Sequence, residues 1–213
     1  MKKTVYLVRH GQSEGNVGNT YQSVSSPLTS LGRKQAECIA DRALKLPFEI
    51  LISSSVMRAK QTAEIISIKS NKPIEFSDLF VERKKPTNLS GKSHSDKEAE
   101  ELNKNWGKSL YTSGYWALDG ENFDDIILRA DQALRYLENQ EEENILVVTH
   151  GFFLKVLVAR ILLGREMVGA KFRHFQSRIK ISNTGLSVLE FDSDLDDPSW
   201  RVLVLNDKAH LGE

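Results

Sequence analysis

The stretch LVRHGQSEGN, from Leu7 to Asn16, decides how the fold of this sequence is interpreted. It overlaps the β-branched, apolar run TVYLV (4–8), which is typical of a strand buried on both faces of a parallel sheet. A second apolar run, ILVVTHG from Ile145 to Gly151, also ends in His-Gly. The two histidines that follow these strands are therefore the first candidates for a functional site.

Predicted strands and helices alternate along the rest of the chain. Strands are predicted at 4–8, 49–54, 72–76, 144–150, 185–191 and 200–206. Helices are predicted at 27–46, 55–68, 95–108, 121–140 and 152–164. This alternation predicts an α/β fold with a mostly parallel sheet, and the proline that opens the third strand places that strand at a sheet edge. We expect one domain over 1–213, in which the last two strands are joined by the acidic turn DSDLDD (192–197).

The composition restricts the classes of partner. The chain has 213 residues, of which 40% are hydrophobic, and 29 basic residues balance 29 acidic ones. A net charge of zero argues against a nucleic-acid or membrane partner, so any anion must be recognised by a few placed cations. The single cysteine, Cys38, permits no disulfide within the chain and lies in a helical context that favours a packing role. With no apolar leader and no run near the roughly 18 residues of a membrane span, we expect a cytoplasmic protein.

A long polar segment interrupts the alternation in the middle of the chain. Residues 78–95 predict a loop, which at this length is usually functional or disordered. The region at about 90–120 resembles a cap-like insertion, and its aromatic residues over 106–116 are interpreted as packing residues. The basic residues of 83–92 leave two interpretations open: a solvated loop, or a surface that attracts a substrate with extra negative charge.

Both candidate histidines are predicted to face one crevice. Ligands of open α/β sheets bind beyond the carboxyl ends of the strands, where His10 and His150 lie if their strands are neighbours. Gly11 and Gly151 would let the backbone approach a ligand closely. A helix beginning near Phe152 would also point its N-terminal amides at this edge, which makes a ready anion site.

Further polar residues fit the same crevice. Arg9 adjoins His10, and Arg58 follows the second strand early in the next helix. Asn16 offers an amide, and Glu82 lies in the loop after the third strand. Arginines, imidazoles, an amide and a carboxylate together predict a phosphate site.

At this point the sequence resembles a known family. LVRHGQSEGN is similar to the signature of the histidine phosphatase superfamily, the phosphoglycerate mutase-like proteins. PLTSLGRKQA, SSSVMRAKQTAEII, LFVER and VVTHG resemble four further segments of that family, in the same order along the chain. The resemblance implies a three-layer α/β/α sandwich.

The resemblance also implies roles for individual residues. His10 would attack phosphorus in line and form a phosphohistidine, while a backbone carbonyl holds its other ring nitrogen. The implied catalytic residues are His10, Glu82, His150, Arg9 and Arg58. The implied substrate-binding residues are Arg9, Gly11, Asn16, Arg58, His150 and Gly151. Neither a metal nor a cofactor is implied, because the convergent cations stabilise the transferring group.

A single carboxyl is expected to move the proton in both halves of the reaction. Glu82 would protonate the departing alkoxide and then take a proton from water. Glu75 and Glu14 are the alternatives for this acid. Asn183 and Thr184 resemble a family position near the site.

Three functions share this fold. Mutases of the family carry ER-x-x-G-x-L-x-G after the acid, whereas this chain has ERKKPTNLSGK (82–92). We therefore expect a histidine acid phosphatase-type phosphoric monoester hydrolase, acting without metal on a small phosphorylated metabolite. The alternative is a phosphoglycerate mutase-type phosphotransferase, and an inactive binding protein is less favoured. A homodimer is one possible assembly, because no residue pattern in the sequence indicates the oligomeric state.

Overall fold

One six-stranded sheet organises the chain in a computed structural model that describes residues 1–116, 118–194 and 199–212. Its strands are β1 (Lys2–Arg9), β2 (Ile50–Ser53), β3 (Ile74–Phe76), β4 (Asn144–Thr149), β5 (Leu186–Asp192) and β6 (Trp200–Asp207). Their order across the sheet is β3-β2-β4-β1-β5-β6. β1, β2, β3 and β4 pair in parallel, while β5 is antiparallel to both of its neighbours. The mostly parallel sheet and the edge position of the third strand are thus confirmed.

Seven α-helices surround the sheet in the described part of the chain. They are α1 (Glu14–Val17), α2 (Ser30–Ala43), α3 (Met57–Ser70), α4 (Lys97–Ser109), α5 (Phe123–Glu138), α6 (Gly151–Leu163) and α7 (Gly169–Arg178). Thr29 caps α2, where its hydroxyl accepts the amide of Gly32 at 3.0 Å. None of the helices in the described ranges has the length and apolar character to cross a bilayer.

The two faces of the sheet carry separate hydrophobic cores. Because side chains alternate along a strand, Val5 and Leu7 of β1 pack with α5, α6 and α7, whereas Tyr6 and Val8 pack with α2 and α3. This arrangement is the predicted α/β/α sandwich. Leu31 of α2 is half exposed, since it lies about 140° around the helix from the buried Ala36.

The segment after β3 is more ordered than a plain loop. Short 3-10 turns at Asp78–Phe80 and Thr87–Leu89 lead to α4. Leu89, Ala99 and Trp106 form a third, small core there. The cap-like insertion at 90–120 stays a prediction, and its connector includes residue 117, which lies outside the described residues, as do 195–197 of the predicted acidic turn.

Candidate active site

The two candidate histidines lie side by side at the carboxyl ends of adjacent strands. β1 and β4 pair up to Arg9 and Thr149, so the residues that follow them, His10 and His150, are neighbours. The ring centroids are 5.0 Å apart, and both side chains are buried. The amide of His10 donates to the carbonyl of Thr149 at 3.0 Å, which fixes the turn out of β1. One crevice therefore holds both imidazoles.

The hydrogen bonds of His10 define its tautomer. Its Nδ1 lies 2.6 Å from the carbonyl of Gly11, which can only accept, so Nδ1 carries the proton. Its Nε2 lies 3.1 Å from Nε of Arg58, an N–H donor, so Nε2 offers a lone pair. Burial, with the charges of Arg58 and Arg9 as lesser causes, holds the pKa of His10 well below its usual 6.5. His10 is thus a neutral imidazole with its nucleophilic nitrogen aimed by two partners.

Two arginines bring positive charge to this nitrogen. Arg58, in the first turn of α3, is buried and donates to the carbonyl of Ser23 at 3.3 Å. Burial lowers its pKa to about 10, which leaves it charged at neutral pH. Arg9 donates from one terminal nitrogen to the carbonyl of Ile181 at 2.6 Å. Its buried Nε has no hydrogen-bond partner within the described ranges, and such an unpaired donor is costly unless a ligand accepts from it.

His150 supplies a second unpaired group. Its Nε2 lies 2.9 Å from the hydroxyl oxygen of Ser54, and that oxygen accepts the amide of Val56 at 3.2 Å. When the hydroxyl donates to Nε2, the neutral ring carries its proton on Nδ1. That Nδ1 is buried and has no partner among the described residues. Burial and the charge of Arg58 hold the pKa of His150 well below its usual value, so it serves as a neutral donor.

The N-terminus of α6 binds a carboxylate of the protein itself. Glu82 accepts the amide of Phe152 at 3.3 Å and that of Phe153 at 3.1 Å. The amide of Arg83 donates to the same carboxylate at 3.1 Å. The predicted anion site at this helix exists, but Glu82 fills it and is thereby held at the edge of the crevice.

Asn16 lies at the rim, in contact with a residue that supports His10. It is exposed, and its Oδ1 accepts from the amide of Ser13 at 3.0 Å and from Nδ2 of Asn183 at 3.4 Å. The same Nδ2 donates to the carbonyl of His10 at 3.0 Å. The amide of Thr184 donates to the carbonyl of Arg9 at 2.9 Å, so both predicted neighbours of the site are in place.

The two glycines after the histidines serve close packing within the protein. A Cβ on Gly11 would lie 2.4 Å from the carbonyl oxygen of Gly32 in α2. A Cβ on Gly151 would lie 3.0 Å from Nε of Arg9. The backbone approach expected toward a ligand is, in both cases, an approach to another part of the chain.

The basic segment after Glu82 divides into buried and exposed residues. Arg83 is buried, donates to the carbonyls of Glu121 at 3.0 Å and Trp106 at 2.9 Å, and stacks on the Trp106 ring at 3.9 Å. A solvated loop was therefore the wrong interpretation for Arg83, because α4 covers it from a distant part of the sequence. Lys85 is half-buried, and Lys84 remains exposed.

The alternative acids lie elsewhere. Glu75 is exposed on the edge strand β3, where it accepts the hydroxyl of Tyr136. Glu14 is exposed in the short helix α1. Neither has the hydrogen bonds to the α6 amides that fix Glu82 at the crevice.

A cavity of about 690 Å³ opens beside Arg58 and Glu82. Part of its wall is apolar and comes from Val24, Val56, Met57 and Val81, and its basic residues besides the arginines are Lys60, Lys84 and Lys85. The space is large enough for a small organic ligand. In the described ranges, histidine, cysteine and carboxylate side chains do not gather in threes as a metal site would need.

Sequence reasoning missed a buried ion pair behind Glu82. Arg129 and Glu121 are 6% and 8% exposed, and each carboxylate oxygen of Glu121 accepts from Arg129, at 2.7 and 2.8 Å. The available signal was the position of Arg129 within the apolar face of α5, three residues after Ile126 and next to Ala130.

Comparison with known proteins adds a finding to this geometry. A sequence model described as "Histidine phosphatase superfamily (branch 1)" matches residues 5–208. A Citrobacter koseri protein named "Probable phosphoglycerate mutase GpmB" is 32% identical over 212 residues, covering 97% of this chain and 94% of its own. The structure of Bacillus stearothermophilus YhfR is 27% identical, with a TM-score of 0.78 over 98% of this chain and 99% of its own. The alpha-ribazole phosphatase of Shigella flexneri shares the fold at 24% identity, with a TM-score of 0.77 and 96% of each chain covered.

Proposed function

This chain belongs to the histidine phosphatase superfamily, and from that premise we propose that it is a phosphomonoester phosphatase that acts through a phosphohistidine on His10. The supporting observation is the state of the His10 ring: Nδ1 is held by the Gly11 carbonyl, and Nε2 carries a lone pair beside Arg58. A neutral, aimed imidazole is the form that attacks phosphorus.

In the first half-reaction, the Nε2 lone pair of His10 forms a bond to phosphorus as the ester P–O bond breaks. The electrons of that bond go to the leaving oxygen, which takes a proton from Glu82. Negative charge spreads over the three equatorial oxygens, where Arg58, the unpaired Nε of Arg9 and the unpaired Nδ1 of His150 donate. These donors supply charge stabilisation that other phosphatases obtain from metal ions, so we propose that no metal is required.

In the second half-reaction, the carboxylate of Glu82 takes a proton from water, whose oxygen attacks phosphorus. The N–P bond breaks, its electrons return to Nε2, and inorganic phosphate leaves. Each cycle returns Glu82 to its protonated form, so one carboxyl serves both halves. Its position on the amides of Phe152 and Phe153 keeps it beside the crevice throughout.

The cavity next to Arg58 and Glu82 faces solvent on one side, where Val24 in its wall is 70% exposed. An open cavity suits hydrolysis, in which water is the acceptor, whereas a mutase must keep its phosphohistidine dry. ERKKPTNLSGK also departs from the mutase pattern after the acid.

The substrate is proposed to be a small phosphorylated metabolite with a further negative charge on its leaving group. Lys60, Lys84 and Lys85 line the cavity, against the carboxylates of Asp78 and Glu82. The Nζ of Lys85 lies 3.2 Å from the carbonyl of Gln22 and faces the same space as Arg58. A second anionic group would find a charge partner there.

Phosphoglycerate mutase activity is the second candidate. It is favoured by the similarity, at 32% identity, to the Citrobacter koseri protein named "Probable phosphoglycerate mutase GpmB". The fold and the nucleophile would be the same, and only the acceptor of the phosphoryl group would differ.

One experiment separates these functions. The protein, the variant His10→Ala and the control His174→Ala, an exposed residue on α7, are given p-nitrophenyl phosphate and 3-phosphoglycerate with a chelator present. Release of phosphate that is lost in His10→Ala and kept in His174→Ala supports the phosphatase. Conversion of 3- to 2-phosphoglycerate that depends on a bisphosphoglycerate primer supports the mutase instead. If the protein acts on neither substrate and no phosphoenzyme is trapped, the proposed enzyme function is wrong and a binding protein is favoured.

A further inference from the structure

The buried ion pair between Glu121 and Arg129 holds the backbone that carries Glu82. From its position on α5, Arg129 donates to the carbonyls of Leu79 at 2.9 Å, Val81 at 2.8 Å and Glu82 at 3.4 Å. The reaction proposed above does not use either member of the pair directly.

Glu121 fixes the backbone on the C-terminal side of Glu82. Its carboxylate accepts the amide of Lys84 at 2.8 Å, and its own amide donates to the carbonyl of Lys84 at 2.9 Å. The hydroxyl of Thr149 in β4 donates to the carbonyl of Phe80 at 2.7 Å. The backbone from 79 to 84 lies outside the sheet and has no neighbouring strand to bond. Its carbonyls and amides are bonded instead by Arg129, Glu121 and Thr149.

Arg129 also contacts the residue that holds the carboxylate. Its guanidinium lies 4.1 Å from the centroid of the Phe153 ring, and the amide of Phe153 binds Glu82 at 3.1 Å. One planar side chain thus touches both the backbone under Glu82 and the helix end that receives its side chain. A lysine could not make these contacts together, because it has a single charged nitrogen and no planar fork.

We propose that Arg129, oriented by Glu121, is a positioning residue that fixes the general acid–base Glu82 against the leaving oxygen. This inference rests on the proposed phosphatase function. It gives the pair a role in catalysis beyond its contribution to folding. Without the guanidinium of Arg129, Glu82 would no longer lie within hydrogen-bond distance of the leaving oxygen.

The test uses the dependence of the first half-reaction on the leaving group. A p-nitrophenolate leaves without protonation, whereas a primary alkoxide needs the proton from Glu82. Phosphoenzyme formation is measured in single turnovers with p-nitrophenyl phosphate and with glycerol 1-phosphate, using an alkaline quench because phosphohistidine is labile to acid. The proteins are the wild type, Glu82→Gln, Arg129→Lys and Glu121→Gln.

Arg160→Lys is the matched control. Arg160 in α6 pairs with Asp131 of α5 through two bonds of 2.6 and 3.2 Å, so it makes the same kind of two-bond arginine–carboxylate pair and likewise involves α5. It contacts Gly164 at the far end of α6 and not the segment of Glu82. Thermal unfolding of each variant measures the purely structural cost.

The positioning role predicts a selective loss. Arg129→Lys should slow phosphoenzyme formation from glycerol 1-phosphate by about 100-fold, as Glu82→Gln should, and that from p-nitrophenyl phosphate by about threefold or less. Arg160→Lys should leave the ratio of the two rates at its wild-type value. Glu121→Gln, which keeps the shape of the side chain, should shift the ratio in the same direction by a smaller factor.

Two results would overturn the inference. If Arg129→Lys and Glu121→Gln lower both rates equally, or lower neither, the pair has no selective effect on the acid, and the inference fails while the phosphohistidine reaction stands. If the wild type forms no phosphoenzyme from either ester, the proposed function fails, and this inference fails with it.

Discussion

Nε of Arg58 lies 3.1 Å from Nε2 of His10, so the cation donates to the same nitrogen that would attack phosphorus. This contact has two effects in the free protein. It orients the ring, and its positive charge disfavours protonation of the nucleophile. In the proposed reaction, the same N–H would donate its hydrogen bond to an oxygen of the incoming phosphoryl group instead.

Removing Arg58 should therefore change both the rate and its pH dependence. In Arg58→Ala, kcat/KM should fall about 100-fold or more, because a donor to the transferring group is lost. The acidic limb of the pH–rate profile should also move to higher pH, since the pKa of His10 is no longer lowered by the neighbouring charge. Arg33→Ala, at an exposed position of α2, is the control. An unchanged acidic limb in Arg58→Ala would contradict the stated electrostatics.

Stability should decrease as the pH falls through the unfolded-state pKa of histidine. His10 and His150 are buried and neutral, with pKa values well below 6.5 in the folded protein. Below about pH 6.5 the unfolded chain binds protons that the folded protein does not, so the free energy of unfolding drops. We expect Tm to be constant above about pH 7.5 and to fall between about pH 6.5 and 5.

The histidines can be tested individually in this pH range. His10→Gln should show a shallower fall in Tm than the wild type, because one of the histidines with a lowered pKa is gone. An equal slope in both proteins would mean that His10 is not held neutral by the fold.

The contact between Gly11 and Gly32 predicts a stability difference between two glycine substitutions. Gly11→Ala should lower the free energy of unfolding by ~1–3 kcal/mol, because its Cβ would lie 2.4 Å from a backbone oxygen that cannot easily move. Gly107→Ala, in the last turn of α4 with no other part of the chain within 4 Å of the new Cβ, should raise it by ~0.5–1 kcal/mol. Urea unfolding measures both. Effects of the same sign would show that the packing at Gly11 is looser than the distance indicates.

Lys85 should set the preference for charged leaving groups. In Lys85→Met, the ratio of kcat/KM for 3-phosphoglycerate to that for p-nitrophenyl phosphate should fall about tenfold, as expected for one charge-assisted contact. Lys92→Met changes an exposed lysine that does not line the cavity and should leave the ratio unaltered. A fall in both variants would point to long-range attraction by net charge instead of a local contact.

Local signals explain what the sequence could predict. The apolar runs of β1 and β4, each followed by His-Gly, placed both imidazoles correctly because a strand and the turn after it are encoded by adjacent residues. The helices predicted at 27–46 and 121–140, which the structure shows as α2 and α5, rest on equally local signals. By contrast, the short helix α7 was missed, since its polar sequence GAKFRHFQSR buries little besides Gly169 and Phe172.

Features that depend on contacts between distant parts of the chain could not be predicted from the sequence. The buried state of Arg83 depends on Trp106 of α4, which follows it by more than twenty residues. The pairing of Glu121 with Arg129 could be suspected from a cation in an apolar stripe, but its hold on the carbonyls of 79–82 could not. The need for glycine at position 11 comes from α2, so its cause lies in tertiary packing.

The central position of β1 has a consequence for synthesis of the chain on the ribosome. β1 is translated first among the strands, yet both of its partners, β4 and β5, lie more than 130 residues later. Its apolar residues stay unpaired while most of the polypeptide is made, and unpaired apolar strands favour aggregation. A truncated nascent chain that lacks β4 and β5 would therefore carry His10 without any phosphoryl-binding pocket around it.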